Sequence, residues 1–145
     1  MSTAALGHLV GYRLPEGTFT ITEHDNRLLS EAVETAAPDD GVAHPAFAYV
    51  ATQRGVGIGI DEVFRLAECP MDDGPMLGST DLEFAEPLRI GVAYRVRGEI
   101  VDIRRKQGAR IGTFDVLTIQ EELVDERDVA VAVIRNEFIL PRRQD

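Results

Sequence analysis

Two kinds of spacing between apolar positions divide this chain into an early helical part and a late stranded part. First comes "GTFTIT", where β-rich residues alternate, and this predicts an opening strand. Thr22 then stands as an N-cap with Asp25 three residues on, close to a capping box. Leu28, Leu29, Ala32, Val33 and Ala36 recur at helical spacing after it, and Pro38 stops the run, which predicts a short amphipathic helix. Pro45 suits the first turn of a second helix, because the amide it lacks would be unpaired there anyway. The run it opens, "PAFAYVAT", is apolar on nearly every side and predicts a helix enclosed all round. Gly55, Gly57 and Gly59 interrupt it, and Asp61 and Glu62 open a third segment with Ile60, Val63, Phe64 and Ala67 on one face.

From Met76 the period falls to two. "MLGSTDLEF" places Gly78, Thr80, Leu82 and Phe84 on one side and Ser79, Asp81 and Glu83 on the other. "VAYRVRGEIVDI" alternates up to Gly98 and then shifts phase, which predicts a bulge or bend there. "RIGTFDVLTIQEELV" and "VAVAVIRNEFIL" are long and β-rich, with "RKQGA" and "DERD" as turns. An all-apolar helix must be enclosed, and a curved antiparallel sheet is the available wrapper. The expected fold class is α+β: a hotdog with about five strands around a central buried helix, as one domain over residues 1–145. A cone-shaped fold with helices first, as in small isomerases, is the competitor; the opening strand and the single buried helix favour the hotdog.

Composition narrows the function. At 145 residues with a net charge of −10, the chain repels phosphate polymers, which argues against nucleic acid as a partner. No apolar run is long enough to cross a bilayer, and the start "MSTAALGHLVGYRLPEG" lacks the pattern of a signal peptide, so a cytoplasmic protein is expected. The single cysteine, Cys69, excludes an internal disulfide and is expected as a buried thiol before a turn. His8 and His24 have no metal-ligand spacing, "PMDDGP" has too few regular oxygen ligands for calcium, and "GVGIGID" follows a helix and lacks a phosphate-loop lysine. One local feature departs from the acidic whole: Leu88 to Arg110 carries seven basic residues against two acids. Such a stretch is either a solvated face or a landing site for a phosphate-bearing small molecule or an acidic carrier.

The runs "LVGYRLPEGTFTITEHDNRLLSEAVE", "AHPAFAYVATQRG", "LEFAEPLRIGVAYRVRGEIVDIRRKQG" and "RIGTFDVLTIQEELVDERDVAVAVIRNEFIL" resemble MaoC-like hydratase/dehydratase domains, in their N-terminal, fatty-acid-synthase-like dehydratase type. The likeness extends from Leu9 to Arg142, and "EFAEPLRIG" is its most distinctive piece. It implies a hotdog acting on coenzyme A or acyl-carrier thioesters without a further cofactor. It also implies a dimer, either with an identical chain or with a related chain that is catalytically complete. One departure is clear: active members carry D-x-N-P-aliphatic-H ahead of the central helix, and no "NP" followed by histidine occurs here.

Asp39, Asp40 and His44 are the candidate catalytic residues, since the step from Asp39 to His44 equals the aspartate-to-histidine step of that motif. Hydrating an α,β-unsaturated thioester needs a base to deprotonate water and an acid to protonate the α-carbon, and a histidine beside a carboxylate can share both tasks. Amides at the start of the central helix could polarise the thioester carbonyl. Against this, the aspartates also read as turn residues after Pro38, and His44 as a residue hydrogen-bonding backbone where the helix begins. Both readings stay open. Pro45, Ala46, Phe47, Tyr49, Arg89 and Arg97 complete the candidate set as substrate contacts, although Phe47 and Tyr49 read first as core. Three functions follow: a subunit shaping the acyl tunnel beside a catalytic partner, a self-sufficient hydratase or thioesterase, and a non-enzymatic acyl- or sterol-CoA binding module.

Overall fold

A computed structural model describes residues 6–36 and 40–142. A 3₁₀ turn, Gly7–Leu9, leads into β1 (Arg13–Thr20), followed by α1 (Glu23–Ala32), α2 (Phe47–Arg54), α3 (Ile60–Leu66) and a second 3₁₀ turn, Met71–Asp73. Four further strands complete the chain: β2 (Met76–Phe84), β3 (Ala93–Gly108), β4 (Gly112–Val124) and β5 (Ala130–Pro141). All pair antiparallel in one five-stranded sheet of order β1-β3-β4-β5-β2. The hairpin β3–β4 pairs residue for residue from Asp102 and Thr118 down to Gly108 and Gly112, and β1 and β2 form the two edges.

The inner face of the sheet meets the helices in two apolar clusters. One joins Val63, Phe64 and Ala67 of the α3 region to Ile100, Leu117, Ile119 and Phe138. The other joins Phe47, Ala48 and Ala51 of α2 to Val96, Leu123 and Ile134. This is the hotdog arrangement, with α2 as the helix laid against the sheet. Close approach of the two layers depends on glycine: a Cβ on Gly17 of β1 would stand 1.8 Å from the carbonyl oxygen of Gly55, just beyond α2.

Four details differ from the sequence pattern. β1 begins at Arg13, ahead of the alternating run. The irregularity in β3 falls between Ile100 and Asp102 rather than at Gly98. The first helix is capped as expected, the Asp25 amide donating to Thr22 Oγ1 at 3.0 Å, but it ends at Ala32 and turns its other side inward. It buries Asn26 and Ser30, while Leu28 is 52% exposed and Val33 48%. The reason is a polar anchor: Asn26 holds the chain ahead of α2, which fixes the rotation of α1 about its axis. Fourth, α2 buries Phe47, Ala48, Ala51 and Thr52, but Tyr49 and Val50 stay half-buried, since none of the described residues covers that side fully.

Candidate functional site

The chain before α2 is held from three sides. Val42 and Arg89 form an antiparallel bridge, flanked by Ala43 N–H donating to the Leu88 carbonyl at 2.7 Å and Ile90 N–H donating to Gly41 at 2.9 Å. The His44 amide donates to Oδ1 of buried Asn26 at 2.8 Å. His44 Nδ1 accepts from the Ala46 amide at 3.0 Å, so that nitrogen is unprotonated and a neutral ring carries its proton on Nε2. Asp40 Oδ1 accepts from the Val42 amide at 3.1 Å. Asp39 lies outside the described residues.

The remaining amides are also engaged. Phe47 N–H donates to the His44 carbonyl at 3.1 Å and Ala48 N–H to the Pro45 carbonyl at 3.0 Å. With Pro45 having no amide, every N–H from Val42 to Ala48 thus donates within the protein. An oxyanion site needs donors aimed at the place where negative charge develops. Here each such donor would have to leave a bond first. His44→Ala removes the acceptor for the Ala46 amide and is expected to cost about 0.5–2 kcal/mol, the range for lost helix caps. Urea denaturation followed by circular dichroism measures it.

Beside this closed start runs an open, largely apolar groove of about 480 Å³ between α1 and α2, lined by Phe19, Leu28, Leu29, Phe47, Tyr49 and Val50, with Asp25, Gln53 and Arg54 also on its wall. The Phe19 and Phe47 rings meet at its floor with centroids 6.4 Å apart. The exposed leucine of α1 therefore faces a surface of its own kind. Of the expected substrate contacts, Phe47 and Tyr49 are in this groove, while Pro45 and Ala46 form the turn that opens α2 and are not part of its lining.

The arginines lie elsewhere. Arg89 borders a separate depression of about 710 Å³ with Tyr94, whose hydroxyl accepts from the Arg89 amide at 2.8 Å. Arg127 in the same depression is paired with Asp125 and Glu86, so its charge is neutralised there. Arg97 departs from the expected grouping: strand alternation puts it on the outer face of β3, where it holds Glu122 through Nε at 3.0 Å and a terminal nitrogen at 2.9 Å.

A buried polar group escaped the sequence reading. Glu121 is 3% exposed on the inner face of β4, near Thr52 of α2 and Asn136 of β5. The signal was present: Glu121 shares the period-two row of Leu117, Ile119 and Leu123 in "LTIQEEL". Among the described residues, no three His, Cys, Asp or Glu side chains are placed to hold a metal, and no helix is long and apolar enough to cross a membrane.

The sequence profile of the FAS1-like, dehydratase domain region matches residues 9–134. Among solved structures, the ChsH1-ChsH2 complex from Mycobacterium tuberculosis is similar with a TM-score of 0.75 at 16% identity, covering 98% of this chain and 92% of that one. A truncated HadBC (3R-hydroxyacyl-ACP dehydratase) complex from the same organism gives 0.64 at 16%, covering 88% and 92%. A MaoC-like dehydratase from Rhodospirillum rubrum gives 0.61 at 17%, covering 94% of each chain. At these identities the likeness establishes the fold. No curated protein sequence matches the chain at a significant level.

Proposed function

Because this chain belongs to the FAS1-like dehydratase domain region family, we propose that it is a subunit of an (R)-specific enoyl-thioester hydratase or 3-hydroxyacyl-thioester dehydratase. Its part is to shape the acyl site, while a related hotdog chain supplies the acid and the base. The carrying observation is the contrast around α2: the amides at its start are all spent internally, yet the apolar groove along its side is open. Such a surface offers an acyl chain apolar walls, while the backbone amides at the start of α2 are not free to polarise its carbonyl. Two of the similar structures, HadBC and ChsH1-ChsH2, are themselves complexes. The edge strand β2 is exposed along its length apart from half-buried Leu82, so its backbone edge is free to pair with a partner sheet.

Affinity purification from the native host tests this. A second hotdog chain bearing D-x-N-P-x-H should co-purify, and hydration of trans-2-enoyl-CoA should require both chains. Turnover by this chain alone, abolished by His44→Ala or Asp40→Asn, would establish the self-sufficient enzyme instead. Saturable acyl-CoA binding with no turnover in either preparation would leave a binding module. In the active complex, Val50→Asp puts a charge in the groove and is expected to raise KM about tenfold or more for long acyl chains. Short chains should change little, since each buried methylene is worth about 0.8 kcal/mol.

A further inference from the structure

Glu121 stands at the seam between the two apolar clusters. Its register partners are Gly98 on β3 and Ile134 on β5. Ile119 of one cluster and Leu123 of the other flank it along β4. Space for the carboxyl exists because β3 offers glycine there: a Cβ on Gly98 would come within 2.5 Å of Glu121 Cγ. Oε2 has no hydrogen-bond partner. A buried oxygen left in that state is costly, and a charge on it far more so.

The neighbouring polar groups are already committed. The Thr52 hydroxyl donates to the Tyr49 carbonyl at 2.7 Å and accepts from Asn136 Nδ2 at 3.1 Å and Gln53 Nε2 at 3.3 Å, which exhausts a hydroxyl. Asn136 in turn accepts from Thr80 on the edge strand. Charged groups on the surrounding elements engage away from the seam. Arg97 pairs with Glu122, Arg95 with Asp128, Arg135 with Gln120 and Asp61 with Arg65, while Arg54 is exposed at the end of α2. No cation therefore compensates an ionised Glu121 among the described residues, and Thr52 can turn its proton to the carboxylate only by releasing Tyr49.

We propose that Glu121 is a proton-dependent latch between the sheet and α2. Protonated, it allows the helix to close on β4; ionised, it must be reached by water, and α2 lifts from the sheet at Thr52. Burial pushes this carboxyl from 4.5 up to about 8, opposed only by the nearby Thr52 hydroxyl. The closed form thus keeps its proton to about pH 8, whereas an opened form releases it near 4.5. Opening gains up to about tenfold per pH unit between those values and levels off above the higher one. Phe47, Tyr49 and Val50 ride on the same helix, so the latch also sets the width of the groove. It belongs to the fold and stands whether or not that groove holds an acyl chain.

Hydrogen exchange of the full chain between pH 5.5 and 9.5, corrected for intrinsic rates, tests the latch on a peptide covering residues 47–54. Wild-type protection should fall about 50-fold from pH 6 to pH 8 and then level, while Glu121→Gln should stay flat. Flat wild-type protection, or the same fall in Glu121→Gln, overturns the proposal. Should the variant fail to fold, infrared difference spectroscopy of the wild type decides. A protonated carboxylic acid that titrates near pH 8 supports the latch, and its absence at pH 6.5 refutes it.

Discussion

Asp115→Ala is expected to destabilise the protein by about 3–5 kcal/mol, the range for breaking a buried ion pair from one side. The carboxylate is fully buried and holds two arginines. Oδ1 accepts from Arg105 Nε at 3.0 Å, while Oδ2 accepts from a terminal nitrogen of Arg105 at 3.2 Å and from Arg142 Nε at 2.8 Å. Arg142 also donates to the Ala67 and Glu68 carbonyls at 2.8 and 2.7 Å. The carboxylate thus ties the end of β5 to the end of α3 as well as to β3. Its loss strands two guanidinium groups whose side chains are only 24% and 13% exposed. Against a total of about 5–15 kcal/mol for ordinary domains, that is a large share. Chemical denaturation measures it. A loss below about 1 kcal/mol would mean that both arginines reach water once released, and the clamp would then carry no net stability.

Gly17→Ala should do comparable damage by a different route. The added methyl would stand 1.8 Å from the Gly55 oxygen, 2.8 Å from its carbon and 3.0 Å from the carbonyl carbon of Val56. All three are backbone atoms, so no side-chain rotation relieves the clash, and β1 must move off the end of α2. Overpacking typically costs about 1–3 kcal/mol where side chains can adjust, and here about 3 kcal/mol or more is expected. Gly7→Ala is the internal control, since nothing lies within 4 Å of its Cβ position and its effect should stay within about 0.5 kcal/mol. Equal melting temperatures for the two variants would show that the strand and helix do not approach as described.

The sheet was legible in the sequence because the residues of β2 to β5 largely alternate between apolar and polar, a period that no helix produces. The cap at Thr22 was legible because its chemistry is local. What failed was anything decided by a distant partner. Leu28 and Val33 looked like the inward face of α1, but Asn26 reaches His44, eighteen residues away in the chain, and rotates the helix. Glu121 shares the period of its inward-facing neighbours, but a carboxylate in that row is not read as interior until the opposing Gly98 and Thr52 are seen. At the site, the sequence located Asp40 and His44 next to the start of the central helix. It did not reveal that their acceptor atoms serve the amides of Val42 and Ala46. Arg97 was drawn into the set by charge alone, and strand parity sends it to the other face.

The strand order bears on how the chain is made. β3, β4 and β5 follow one another in both sequence and space, so two short turns suffice to build the centre of the sheet. Both edge strands and all three helices precede it in the chain. During synthesis, therefore, the first 92 residues emerge with no β3 to receive β1 and no β5 to receive β2. Phe47, Ala48 and Ala51 wait in water with them. The nascent chain is exposed to aggregation until β3, β4 and β5 have left the ribosome.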